Sequence, residues 1–332
     1  MSSATDSIVA LTSGEPSGVG LELAYRAWLE LNQSQPFFII ADRRHLAERI
    51  GADHCIEIQQ VKDCVSALNH GLPFLHLQFA GNAPAGQVQH ENSKGVIDSI
   101  RWAVGLALNK EVAAVCTNPI NKNVFKHCGE NQYPGHTEFL AELCHVPLTV
   151  MLLAGKDLKV VPVSGHQALI DVPQAITRSR LYSVISLSLN SLKRDFKISH
   201  PVIYVAGLNP HAGEDGLFGE EEQHIIRPVI KMLQAEGIDI NGPYSADTMF
   251  HEDVRKRYHL AICMYHDQAL IPLKTLHFFN AVNVTLGLPI IRTSPDHGTA
   301  LDIAGKSLAR PDSLIEAIRL AGAHAKNRQS LV

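Results

Sequence analysis

The feature that most constrains the fold is a regular alternation of short apolar runs with longer amphipathic ones. Runs rich in β-branched or apolar residues predict β-strands at 8–11, 37–40, 112–116, 158–163, 202–206, 260–264 and 281–286. Amphipathic stretches predict helices at 95–108, 138–143, 173–192, 220–235 and 312–323. Such alternation is typical of a parallel sheet covered by helices, so the sequence predicts an α/β fold.

The chain length predicts two lobes, because 332 residues exceed the size at which one hydrophobic core usually stops growing. We expect 1–130 with 287–332 to form lobe one, which carries a nucleotide loop. Lobe two, 131–286, is expected to carry the metal and substrate residues and the dimer contacts, with a cleft between the lobes. Within 95–108 the apolar steps of three and four residues predict one buried helical face: Val96, Ile97, Ile100, Val104 and Leu108.

Charge and hydropathy exclude two classes of partner. The net charge is -4 and no basic run is longer than Arg43-Arg44, so nothing supplies the positive surface that nucleic acid requires. No apolar run approaches the roughly 18 residues of a membrane span, and the first residues lack a secretion signal. We therefore expect a cytoplasmic protein that binds neither nucleic acid nor membrane.

Three histidines follow three predicted strands. The runs VVPVSGH, VIYVAGLNPH and LAICMYH end at His166, His211 and His266. Ligands of open α/β sheets bind outside the carboxyl ends of the strands, where these loops converge. Three imidazoles leave one position open on a tetrahedral ion, as in catalytic zinc sites, and they suit zinc or cobalt better than magnesium. With Asp247 and Asp267 nearby in sequence, the pattern predicts a catalytic metal site.

Two further groups of residues predict a site for an anion. His136 and Thr137 open a helical run that Thr137 can cap, which leaves backbone donors and a positive dipole end for phosphate or carboxylate. Lys274, Asn283 and Arg292 lie in apolar surroundings, where a cation is costly unless it meets an anion. We interpret the second group as a phosphate clamp.

Two glycine-containing segments are candidates for a nucleotide. GEPSGVG, which begins at Gly14, follows a strand but lacks the spacing of a dinucleotide-binding fingerprint. In DHGTALDIAGK (296–306), small residues allow a planar ring to approach the backbone closely. The residues expected to contact the cofactor are Gly14, His297, Gly298, Thr299, Ala300 and Asp302.

The last segment resembles the adenosine-binding loop of the isocitrate and isopropylmalate dehydrogenases, although those enzymes hold their metal with aspartates. A fuller resemblance is to the 4-hydroxythreonine-4-phosphate dehydrogenase family. It runs from TSGEPSGVG through PGHTEF, GLNPHAGE, ADT, MYHDQ and NVTLGLPIIRTS to DHGTA and covers nearly the whole chain. The resemblance implies two α/β/α lobes of the isocitrate/isopropylmalate dehydrogenase type.

The resemblance also implies the chemistry. His166, His211 and His266 would hold a divalent metal, zinc or cobalt first and magnesium as a third choice. The substrate, a phosphorylated hydroxy amino acid, would be held by His136, Thr137, Lys274, Asn283 and Arg292. NAD or NADP would be the oxidant, and oxidation would be followed by loss of carbon dioxide. A homodimer would share each active site between its subunits, while Asp247, Asp267 and Lys274 stay open as proton acceptors.

Several alternatives stay open at the level of sequence. The resemblance to the isopropylmalate dehydrogenases places Arg310 near the adenosine ribose, where an arginine could accept a 2'-phosphate, and this keeps NADP open beside NAD. A paralogous dehydrogenase of erythronate or threonate 4-phosphate shares the same motifs. A phosphotransacylase and a non-catalytic binder of metal or phosphate are the candidates from other classes.

Overall fold

The computed structural model describes residues 7–129, 133 and 135–330, and these form two compact units. The first unit comprises the described residues of Met1–Thr149 and Gly287–Val332, and the second comprises Val150–Leu286. The helix His136–Leu143 therefore belongs to the first unit, whereas its sequence position predicted that it would lie in the second lobe. The reason is packing: Phe139 and Leu140 are buried in the apolar core of the first unit.

The first unit is a parallel sheet with helices. Its strands are β1 (Val9–Thr12), β2 (Phe37–Ala41), β3 (Cys55–Glu57), β4 (Leu72–His76), β5 (Ala114–Cys116) and β12 (Arg292–Pro295), in the order β3-β4-β2-β1-β5-β12. Its helices are α1 (Gly20–Leu31), α2 (Arg43–Ile50), α3 (Cys64–Ala67), α4 (Ser93–Leu108), α5 (Asn123–His127), α6 (His136–Leu143) and α12 (Asp312–Gln329). Every residue of β1 and β2 is buried, as a sheet covered on both faces requires.

The buried helical face predicted within 95–108 lies on helix α4. Val96, Ile97, Ile100 and Val104 are at most 2% exposed, so the buried face is confirmed there. The prediction is wrong for Leu108, which is 43% exposed. Leu108 is the last residue of the helix, where the chain turns and no further turn of helix covers the side chain.

The second unit has a mixed sheet. Its strands are β6 (Val150–Ala154), β7 (Lys159–Pro162), β8 (Ile203–Ala206), β9 (Ile240–Tyr244), β10 (Leu260–Cys263) and β11 (Val282–Leu286), in the order β11-β6-β7-β10-β8-β9. Its helices are α7 (Val172–Ala175), α8 (Arg178–Arg194), α9 (Arg227–Ala235), α10 (Glu252–Arg255) and α11 (His266–His277), with a π-helical turn at Glu222–Ile226.

The expectation of a parallel sheet is wrong at β6, which pairs antiparallel with both β7 and β11. The cause is local: the amide of Gly155 donates to the carbonyl of Leu158 (2.8 Å), which closes a tight turn between β6 and β7. A connection this short joins antiparallel strands, because a parallel pair requires a crossover of a dozen or more residues.

The helix predicted at 173–192 is also divided. Ile176 has an extended backbone after α7, and the hydroxyl of Thr177 accepts from the amide of Arg180 (3.1 Å) to cap a new helix, α8. Among the described residues, no helix has both the length and the apolar character needed to cross a bilayer.

Candidate active site

The three histidines predicted as ligands lie beyond neighbouring parallel strands of the second unit. Strand β10 pairs with β7 on one side and with β8 on the other, in parallel register. His166 follows β7, His266 begins α11 directly after β10, and His211 follows β8. All three therefore leave the sheet at its carboxyl edge, where the loops of an α/β sheet bind ligands.

His166 and His266 form a pair that fits one metal ion. Their ring centroids are 5.0 Å apart. Two imidazoles that share a tetrahedral ion have centroids about 5 Å apart when each zinc–nitrogen bond is about 2.1 Å. The Nδ1 of His266 lies 2.7 Å from the Oδ1 of Asp267, and this hydrogen bond leaves the lone pair of Nε2 for a metal.

His211 does not complete a three-residue site within the chain. Across the described residues, no group of three or more His, Cys, Asp or Glu side chains is arranged to hold a metal ion. The His211 side chain is exposed, and its ring lies 6.0 Å from that of Phe218. One chain therefore presents two imidazoles that fit an ion, with a third on the next strand end.

A set of hydrogen bonds, not predicted from the sequence, links the three histidine loops. The Ser164 hydroxyl donates to the Met264 carbonyl (2.9 Å), which joins the loops after β7 and β10. Gln268 accepts from the Met264 amide (2.6 Å) and donates to the Gly207 carbonyl (2.8 Å), which joins the loops after β10 and β8. No local sequence pattern marks Ser164 or Gln268 as part of the site. Their role becomes visible only in the folded chain, where Gln268 meets the distant residue Gly207.

Arg292 and His136 form a buried cationic site in the first unit. Arg292 is 4% exposed, and its Nη2 donates to the hydroxyl of Thr117 (2.6 Å). Burial lowers the pKa of Arg292 to about 10, so the guanidinium is still charged at neutral pH. Burial, and secondarily the charge of Arg292, hold the pKa of His136 well below its ordinary value.

The Nε2 of His136 is buried and has no hydrogen-bond partner among the described residues. A buried polar atom without a partner is costly, and an acceptor group from a ligand would remove that cost. Thr137, expected to cap the helix, does not: α6 begins at His136, Gly135 occupies the capping position, and Thr137 is the second helical residue. The hydroxyl of Thr137 therefore does not cap the amino end of α6.

The remaining residues predicted to bind substrate or to accept a proton lie in the second unit. Lys274 is half-buried on α11, with its Nζ 5.9 Å from the centroid of the Phe278 ring. Asn283 is half-buried on β11, opposite Leu153 of β6. Asp247 is exposed and accepts from the Ser245 hydroxyl (2.5 Å). The structure thus brings together His136 with Arg292, and His166 with His266.

The two glycine-containing segments of the first unit pack against each other. The amide of Val19 donates to the Thr299 carbonyl (3.0 Å), and a Cβ on Gly18 would lie 2.7 Å from that same oxygen. Gly14 has φ +68°, a conformation that favours glycine, and its backbone lies against Asn118. His297, Ala300 and Asp302 lie in the same irregular segment as Thr299.

Gly298 faces open space. A Cβ built there would have no heavy atom within 4 Å. An open backbone surface of this kind fits the close approach of a planar ring. The segment is anchored at its far end, where the Gly305 amide donates to the Glu22 carboxylate (2.9 Å).

Comparison with known proteins agrees with this geometry. A 4-hydroxythreonine-4-phosphate dehydrogenase of Ruegeria sp. is 48% identical over 323 residues, which is 97% of this chain and 98% of the relative. The crystal structure of a 4-hydroxythreonine-4-phosphate dehydrogenase from Klebsiella pneumoniae superposes with a TM-score of 0.86 at 34% identity, covering 98% of this chain and 99% of the other. The chain is an enzyme of the oxidoreductase class.

A more distant structure supports the fold alone. The isocitrate dehydrogenase of Methylococcus capsulatus superposes with a TM-score of 0.50 at 14% identity, covering 97% of this chain and 87% of the other. The predicted α/β fold of the isocitrate dehydrogenase type is confirmed. The model of the family described as pyridoxal phosphate biosynthetic protein PdxA matches residues 32–321. The chain belongs to the PdxA family of pyridoxal phosphate biosynthetic proteins.

Proposed function

We propose that the enzyme uses NAD or NADP and a divalent metal ion to oxidise 4-phosphooxy-L-threonine at carbon 3. The 3-keto acid then loses carbon dioxide and gives 3-amino-2-oxopropyl phosphate, a step in pyridoxine 5'-phosphate biosynthesis. The substrate is the one in the names of the similar proteins from Ruegeria sp. and Klebsiella pneumoniae. We further propose zinc or cobalt as the ion, with magnesium as the alternative.

The observation that carries this proposal is the buried cationic site. Arg292 keeps its charge while 4% exposed, and the Nε2 of His136 is buried next to that charge. A phosphate dianion would give the Nε2 of His136 the partner that it lacks among the described residues, and it would complement the charge of Arg292. We assign the phosphate of the substrate to Arg292, His136 and Thr137, and we propose that Lys274 and Asn283 contribute to the same substrate.

The roles of the residues follow from this assignment. Phosphate binding far from the reacting carbon would align carbon 3 with the nicotinamide, so that binding energy is used for orientation. We assign His166, His211 and His266 as the residues that would hold a divalent ion, and the ion would supply Lewis acidity for the oxidation and for the loss of carbon dioxide. Asp267 orients His266 through its 2.7 Å hydrogen bond and is a weaker candidate for proton acceptor than Asp247 or Lys274.

The proposal is tested by the formation of NADH from 4-phosphooxy-L-threonine. We expect absorbance at 340 nm to rise and one carbon dioxide to be released for each NADH formed. The matched control is 4-hydroxy-L-threonine, which lacks the phosphate and should react far more slowly. Equal rates on the two compounds would contradict the assignment of the cationic site to phosphate. Absence of NADH formation from 4-phosphooxy-L-threonine would contradict the proposed substrate.

The cofactor assignment predicts the effect of Gly298→Val. Valine fits the open space at Gly298 without disturbing the fold, but its methyl groups would occupy the surface that we assign to the adenosine half of the cofactor. We expect the dissociation constant for NAD to rise at least tenfold, as measured by calorimetry. The control is Gly105→Val on α4. A Cβ built at Gly105 also has no heavy atom within 4 Å. Normal NAD affinity with impaired substrate binding would reverse the two assignments.

The proposed homodimer predicts complementation between inactive variants. If each metal site takes histidines from both subunits, mixing two variants whose lesions lie on opposite sides of one site leaves the second site intact. Random reassortment gives half heterodimers with one live site of two, so activity should return to about a quarter of wild type.

The 5.0 Å pairing of His166 with His266 favours these two as the pair from one chain. We expect recovery when His211→Ala is mixed with His166→Ala or with His266→Ala, and none when the latter two are mixed. Failure of all three mixtures, with subunit exchange confirmed by a mass tag, would mean that each site is built from one chain.

A further inference from the structure

The backbone that carries His211 is held in an uncommon conformation. Residues 211–215 all have positive φ, at 54°, 51°, 81°, 40° and 55°, and only Gly213 among them is a glycine. L-residues avoid this left-handed region because Cβ crowds the carbonyl oxygen, and runs of it are rare. Such a turn persists only where surrounding groups hold it, and strained segments of this kind cluster at functional sites.

Glu222 is the group that holds it. Its side chain is buried, with the residue 1% exposed, at the first position of the π-helical turn. Its Oε1 accepts from the amides of Leu208 (2.7 Å) and Asn209 (2.8 Å), and its Oε2 accepts from the Asn209 side chain (3.0 Å). All three donors lie within three residues of His211.

The carboxylate also fits the turn sterically. A Cβ on Gly213 would lie 2.6 Å from Oε2 of Glu222, and one on Gly207 would lie 3.0 Å from Oε1. The two glycines thus let the backbone close around the carboxylate on both sides of His211. The enclosed Glu222 carboxylate therefore holds the backbone of residues 207–213 in one conformation.

We propose that Glu222 is the positioning residue for His211: its buried carboxylate holds the left-handed turn from which the imidazole reaches the metal. The inference rests on the proposed function, in which His211 is a ligand. Burying a carboxylate is costly, and three amide donors recover that cost only in this backbone conformation. In this proposal Glu222 acts through His211 and is not itself a ligand.

The test measures zinc affinity by competition with a chelating dye, without reference to turnover. Glu222→Gln preserves shape but turns an amide N–H toward one of the three donors. Supporting partners of metal ligands typically change affinity 10- to 100-fold, so we expect zinc to bind about 10 to 100 times more weakly. Activity should return at high zinc, because kcat recovers once the ion is bound.

The control is Glu221→Gln. Glu221 accepts from the same Asn209 side chain (2.7 Å) but bonds no backbone amide of the turn, so zinc affinity should stay near that of wild type. If Glu222→Gln does not fold, Asn209→Ala removes one donor, spares the two backbone amides and should weaken zinc binding by a smaller factor.

The outcomes separate this inference from the proposed function. Normal zinc affinity in His211→Ala would overturn the ligand assignment itself. Weak zinc binding in His211→Ala together with normal binding in Glu222→Gln and in Asn209→Ala would overturn the positioning role alone. Loss of affinity that excess zinc does not correct, with a lowered melting temperature of the zinc-free protein, would show that Glu222 serves only the fold.

Discussion

His211→Ala is expected to lose nearly all bound divalent metal and nearly all activity while it keeps its fold. The imidazole is one of three protein ligands in the proposed site, and removing one from a three-ligand site leaves too few donors to retain the ion. The exposed side chain contributes little to the core, so stability should be nearly unchanged. Elemental analysis after gel filtration measures the metal, and far-UV circular dichroism reports the fold.

The matched control is His200→Ala, an exposed histidine in the second unit that follows no strand of the site. It should retain full metal content and activity. Stoichiometric metal in His211→Ala would remove this residue from the ligand set. His266→Ala is expected to behave like His211→Ala, because the pairing with His166 fits a shared ion.

Arg292→Ala is expected to weaken substrate binding by about 1.5 to 3 kcal/mol, which is roughly 10- to 150-fold, with little change in NAD affinity. The reason is the loss of a buried, charged donor to the phosphate. Calorimetric titration with 4-phosphooxy-L-threonine and with NAD measures the two effects separately. Arg292→Lys should recover only part of the loss, since lysine lacks the planar pair of donors.

Arg255→Ala is the control for removing a partly buried arginine, whose side chain is 12% exposed. Arg255 donates to the Phe250 carbonyl (2.8 Å) and to Asp157 (3.0 Å), and neither partner is a predicted substrate residue. It should lower stability and leave the substrate constant unchanged. A similar loss of substrate affinity in both variants would trace the effect of Arg292→Ala to general destabilisation.

Periodicity and strand ends were sufficient to predict the fold class and the positions of the three histidines. The apolar runs before His166, His211 and His266 are strands because buried parallel strands are continuously apolar, and that signal is local. Strands β4 and β9 were missed because each contains proline, which weakens a strand prediction; β9 tolerates Gly242-Pro243 at the edge of the sheet.

The hydrogen bonds that hold the histidine loops in place could not be predicted from local sequence patterns. Gln268 and Gly207 lie 61 residues apart, and nothing in either segment signals their hydrogen bond. The left-handed turn at 211–215 was unpredictable because four of its residues are not glycine, and only the buried Glu222 explains their conformation. Burial of Arg292 was predicted from its apolar neighbours, whereas its hydrogen bond to Thr117 joins residues 175 positions apart.

The most direct test of the central proposal compares kcat/KM for 4-phosphooxy-L-threonine with kcat/KM for erythronate 4-phosphate and threonate 4-phosphate. These compounds share the phosphate and a secondary alcohol, and they differ where the amino group stands. The proposed function predicts that metal-loaded enzyme strongly prefers the amino acid and that a chelator abolishes the reaction. Equal or greater kcat/KM on either sugar-acid phosphate would contradict it and assign the chain to that second activity.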